Sequence, residues 1–158
     1  MAVTARLCVA FLLLLAACDG GSEDEPYIEF TGGGFIVNYR VADAYYGFIA
    51  HQKRRIPSGT LLIASFEDPA GGVPLVVEQT ARWGQLDYSF RTPPLKGIVA
   101  DRDYWVELRL VDPETKAVLA TYRKAFRSSV DQTVVPDQPL TVGPGYKRNP
   151  ALGPPDAD

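Results

Sequence analysis

Along residues 27 to 128 apolar and polar side chains alternate in short runs, and no stretch keeps the spacing of a long amphipathic helix. In "LDYSF" the alternation puts Leu86, Tyr88 and Phe90 on one face, with Asp87, Ser89 and the following Arg91 on the other. In "YWVELRLV" Tyr104, Val106, Leu108 and Leu110 point inward, while Trp105, Glu107 and Arg109 point outward. Successive side chains leave a strand on opposite sides, so both runs predict strands covered on one face, the habit of antiparallel sheets. "TLLIASF" and "PLVVEQT" predict shorter strands. "AYYGFIAHQ" is apolar on both faces, which predicts a central strand or one lying under the C-terminal segment. "EDPAGG" at 67–72 and "DPETK" at 112–116 begin turns with Asp-Pro, which presets a type I geometry. The second of these predicts a hairpin whose return strand runs from Val118 to Phe126, and "TGGG" at 31–34 predicts a bulge or kink.

Seven or eight strands separated by turn signals make an all-β, antiparallel β-sandwich the expected architecture, with a small barrel as its rival. The pattern resembles immunoglobulin-like and fibronectin-III-like sandwiches. The strand "LDYSFRT", a corner containing Leu95, and Tyr104 opening the next strand are similar to the tyrosine corner of those domains.

The ends differ from this domain. Leu7 to Ala17 is an apolar run preceded by "MAVTAR", whose one base is Arg6. At about 1.5 Å per residue it reaches roughly 16 Å, half of a ~30 Å hydrocarbon core, so it is too short to span a bilayer. A basic start, an apolar middle and small residues at its close predict a secretory signal peptide. Leu15-Ala16-Ala17-Cys18 resembles the lipobox of bacterial lipoproteins. The resemblance implies that the Cys18 sulfur takes a diacylglycerol, that cleavage falls just before it, and that the product is held at a membrane of the bacterial cell envelope, facing the periplasm or exterior. The thiolate is the nucleophile such a thioether needs. Two or three acyl chains, at about 0.8 kcal/mol per buried CH₂, hold a protein firmly where one is marginal. Asp19 follows the cysteine as in some inner-membrane lipoproteins, and both membranes remain open as its address.

The expected organisation is therefore a signal peptide (1–17), a lipidated cysteine with an acidic tether (18–26), the sandwich (27–128), and a Pro-rich strap and tail (129–158). The tether carries four acids and no base, a composition that favours solvated chain. The six prolines from 136 to 155 predict extended chain, and Val134, Val135, Leu140, Val142 and Tyr146 predict that its first part lies on the domain.

The chemical inventory is thin. Cleavage before Cys18 removes Cys8 and Met1, so the 141-residue product (158 minus 17) has one histidine, no free thiol and no methionine. That excludes a cysteine nucleophile, a thiolate zinc site and a multi-histidine metal site within one chain. No serine sits in G-x-S-x-G, and the glycine-rich pieces lack the lysine and helix of a phosphate loop. Asp101 with Asp103 falls short of the six to eight oxygens calcium takes. Glu67 with Asp68 supplies a glycosidase-like pair on paper alone. The expectation is a protein that is not an enzyme and needs no cofactor or metal. A net charge of −3, together with export, argues against nucleic acid.

Two patches remain as candidate binding sites. Trp105, Glu107 and Arg109 have the composition of a protein contact surface, unless the strap covers Trp105. Lys53, Arg54 and Arg55 form the one run of three bases; beside Tyr45 and Tyr46 they suit an anionic glycan, a small ligand or a lipid headgroup, or they are a solvated loop. The first patch makes the protein a membrane-anchored accessory or assembly factor for another envelope protein. The second makes it a ligand binder, and an enzyme centred on His51 is the third class.

Overall fold

The computed structural model describes residues 25–153, so Cys18, the predicted signal peptide and most of the tether lie outside the described residues. Seven strands build the domain: β1 (Ile28–Asn38), β2 (Asp43–Gln52), β3 (Leu61–Phe66), β4 (Leu75–Thr80), β5 (Asp87–Arg91), β6 (Asp103–Val111) and β7 (Val118–Arg127). They form a three-stranded sheet in the order β1-β2-β5 and a four-stranded sheet in the order β4-β3-β6-β7, with every pairing antiparallel. In immunoglobulin lettering the sheets are A-B-E and C′-C-F-G. The fourth strand lies beside the third, unlike the constant-type arrangement with its ABED sheet.

Alternation explains the core. Tyr104, Val106, Leu108 and Leu110 of β6, Tyr46, Phe48 and Ala50 of β2, and Leu62, Ala64 and Phe66 of β3 are all buried between the sheets. Eight rings form one contact network in which Tyr46 stacks on Phe35 at 4.6 Å and meets Phe66 edge-on at 5.2 Å. Such pairs add about 0.5–1.5 kcal/mol beyond their area burial.

β2 is the central strand of its sheet, with Tyr46, Phe48 and Ala50 in the core and Tyr45 and Ile49 on an outer face that stays partly exposed. It carries Gly47 because β5 runs so close that a Cβ there would lie 2.2 Å from the Phe90 carbonyl oxygen. The glycine run does not divide β1. It leaves one strand with a register shift between Phe30 and Gly32.

Tyr104 closes a tyrosine corner: its hydroxyl accepts a 2.8 Å hydrogen bond from the Val99 N–H. Leu95, expected in that corner, is buried nearby, but its own N–H bonds the Ala44 carbonyl. Leu86, expected inward with Tyr88, is half-exposed. It precedes β5 and its carbonyl accepts from the Gln52 N–H, so the strand's alternation does not govern it.

The sandwich has two unlike ends. The β1–β2, β3–β4 and β5–β6 connections share one end with the C-terminus of β7. The β2–β3, β4–β5 and β6–β7 connections share the other with the first described residues. After β7 the chain crosses the first of these, the strap end. Gln132 N–H bonds the Ile98 carbonyl, Val135 is buried against the core with Val134 beside it, and Thr141 N–H bonds the Arg40 carbonyl. A hairpin of β8 (Thr141–Val142) and β9 (Lys147–Arg148) follows, and Arg40 lies 5.5 Å over the Tyr146 ring.

Candidate functional site

The outer face of the four-stranded sheet is where β3, β4, β6 and β7 point the side chains their alternation keeps out of the core. Pairing sets Val76, Ser65, Glu107 and Arg123 in one row across the sheet. Trp105, two residues before Glu107, stays 47% exposed, and Val76 is 54% exposed. Together with Glu67 and Pro74 they line a shallow concavity of about 500 Å³.

Charge surrounds the indole. Arg123 sits 5.3 Å over the Trp105 ring, within cation–π range. Glu107 lies between two guanidinium groups, 3.8 Å from Arg109 Nε and 3.9 Å from Arg123 Nε. These separations are too long for hydrogen bonds. The Arg109 Nε is buried and has no hydrogen-bond acceptor among the described residues. Below the tryptophan, Glu67 fixes the local backbone: one oxygen takes Arg102 at 2.6 Å and the other accepts from the Trp105 N–H at 3.0 Å.

The strap leaves this face open. Its contacts fall on Ile98 and Arg40 at the end of the sandwich, so the expected alternative of a covered Trp105 is corrected. Asp87, Ser89 and Arg91 do not join Trp105 either, because β5 belongs to the other sheet.

The second expected site separates into parts. Tyr46 is wholly buried, and its hydroxyl donates to the Glu67 carbonyl at 2.7 Å. Burial holds its phenol well above the ordinary range, helped by Glu67 and Asp68. Tyr46 is thus a core residue and no ligand contact; strand alternation at "YY" sends one tyrosine in and the other out. Tyr45 faces outward on the three-stranded sheet, with the Arg91 guanidinium 4.5 Å over its ring. It belongs to a different surface from Lys53, Arg54 and Arg55, which lie in the β2–β3 connection at the N-terminal end. Lys53 is 3.6 Å from Glu29, and Arg54 stacks 3.7 Å over the Tyr27 ring.

His51 pairs through Nδ1 with Asp87 at 2.8 Å on an exposed cross-strand position. Asp103 pairs with Arg127 at 2.8 Å. No group of three or more His, Cys, Asp or Glu side chains gathers at a metal-sized site among the described residues. No described helix is long and apolar enough to cross a membrane.

No family model, curated protein or solved structure matches this chain. Function therefore rests on the surfaces themselves.

Sequence reasoning missed Arg123 and Val76 as members of the Trp105 face. The Asp112–Lys116 turn signals that β7 returns beside β6, but the register shift between Leu110 and Val111 is what sets Arg123 opposite Glu107. Val76 needs the β3–β4 register, which no local motif fixes.

Proposed function

We propose that this is a lipid-anchored binding protein of the bacterial envelope, an accessory or assembly factor that grips a partner protein through the face around Trp105. The observation that carries the reading is the half-exposed tryptophan at the centre of an uncovered sheet face. Tryptophan and arginine are the residues that concentrate binding energy at protein interfaces. The Arg109 Nε adds a donor that a partner's carboxylate or carbonyl can satisfy. The composition supports binding over catalysis, because His51 has one carboxylate partner and no nucleophile in hydrogen-bond contact among the described residues.

The test is photocrosslinking in the native envelope, with a benzophenone amino acid replacing Val76. A discrete adduct is expected, together with about a 30-fold weaker association in Trp105→Asp, matching the 2 kcal/mol or more of a hot-spot residue. No adduct at position 76, or an adduct that survives Trp105→Asp, shows that this face is not the contact. The anchor is read separately: Cys18→Ser should abolish labelling by fatty acid and leave uncleaved precursor. An unlabelled wild type removes the anchor from the proposal.

A further inference from the structure

We infer that the N-terminal end of the sandwich is a membrane-contact surface that rests on anionic lipid headgroups, with Trp83 seated among them and Arg55 and Arg82 beside it. The inference rests on the lipid-anchor reading for the position of the bilayer; the surface itself is on the described residues.

Trp83 is 84% exposed at the tip of the β4–β5 connection, in a turn closed by the Gln85 N–H to the Arg82 carbonyl. It stands out from the surface, with no ring or cation stacked on it among the described residues, and Leu86 just beyond the turn is 54% exposed. Arg55, Arg82 and Trp83 line one shallow depression together with Ile56. Neither Arg55 nor Arg82 has an ion pair among the described residues. Lys53 and Arg54 continue the basic loop, held to the chain's N-terminal side by hydrogen bonds from both backbone N–H groups to the Tyr27 carbonyl.

The chain dictates which end faces the bilayer. Tyr27 is at this end, and the eight residues from Asp19 to Pro26 reach at most about 28 Å even if fully extended. A lipid on Cys18 therefore keeps this end of the sandwich near the bilayer. An indole flanked by arginines is the composition that settles at a bilayer interface, where the ring is half apolar and the cations meet phosphate. Each base near an anionic surface strengthens attraction about fivefold. A projecting tryptophan suits a soft, flat partner better than a small ligand, which would sit in a cleft. The other occupant to weigh is the acidic tether itself, through Glu23, Asp24 and Glu25. It would satisfy the bases and leave the indole without a role.

The full chain is reconstituted into vesicles of phosphatidylcholine with brominated phosphatidylglycerol, and separately into brominated phosphatidylcholine alone. Bromine quenches an indole at headgroup and upper-acyl depth, and the protein has two tryptophans. In the anionic vesicles emission is expected to fall to about half, with less loss on the zwitterionic lipid. Trp83→Phe should leave the Trp105 emission unquenched. Arg55→Ala with Arg82→Ala should reduce quenching to the zwitterionic level, and high salt should do the same. Equal quenching on both lipids, or none, overturns the assignment. Quenching that appears only after Glu23→Gln, Asp24→Asn and Glu25→Gln assigns the bases to the tether and also overturns it. The anchor is scored on its own by labelled fatty acid at Cys18. If Cys18 is unlipidated yet the added chain is quenched on the anionic vesicles, the anchor reading falls and this surface stands.

Discussion

At the strap end of the sandwich a core valine is buried under chain that has no place in either sheet; at the N-terminal end a tryptophan is left bare. Val135 is 7% exposed beneath the strap, whereas Trp83 is 84% exposed at the opposite tip. Hydrogen bonds join separate segments at both ends. The strap end ties Gln132 to Ile98 and Thr141 to Arg40, and within the corner itself Tyr104 to Val99. At the N-terminal end the Lys53 and Gly59 N–H groups bond the Tyr27 and Ala81 carbonyls, while Asp112 caps its own loop. The ends differ in what covers them: the strap crosses one, and the other presents Trp83 bare.

Removing the strap should break this contrast most sharply. A chain ending at Val130 exposes the core beneath Val134 and Val135, and a loss of about 3 kcal/mol is expected from the apolar burial forgone. Urea unfolding reads it directly, and a loss below about 1 kcal/mol would show that the strap is packing without consequence. Tyr104→Phe tests the same end more gently. It leaves the Val99 N–H without its acceptor, which costs about 1–2 kcal/mol, and the shape of the core is unchanged.

The smallest effect belongs to the N-terminal end. Asp112 accepts from the Thr115 and Glu114 N–H groups at 2.8 and 2.9 Å, and these bonds hold its carboxyl below the ordinary 3.8. A depressed carboxylate stabilises the fold above its unfolded value and stops doing so as pH falls through its folded value. The melting difference between wild type and Asp112→Asn should therefore be present at neutral pH and vanish in acid below 3.8. A difference that persists there would mean the turn is held by something other than the charge.

The residues that could be read from the sequence were those whose role is local. Alternation in β6 placed Tyr104 through Leu110 correctly because a strand half-covered by one core must alternate. The Asp-Pro turns emerged for the same reason, since proline and a short acid act on their immediate neighbours. Leu86 shows the limit: it lies one residue outside β5, so the pattern that placed Tyr88 did not extend to it. Tyr45 and Tyr46 look alike in sequence, and only the phase of β2, with Tyr46, Phe48 and Ala50 buried, separates a surface ring from a core one. The Trp105 face was half legible. Its β6 members share a strand, but Val76 and Arg123 arrive through pairings that depend on the whole sheet. Trp83 gave no periodic signal, because a turn tip has no period.

The bond between Thr141 and Arg40 spans 101 positions in the chain. Synthesis runs from the N-terminus, so every sandwich strand has been made before Thr141 exists. The seven strands must find their pairings with the strap end still open, and the latch comes last. This order keeps Val134 and Val135 off the core until all seven strands have been made. A nascent domain stalled short of them is the form most open to proteolysis and to chaperones.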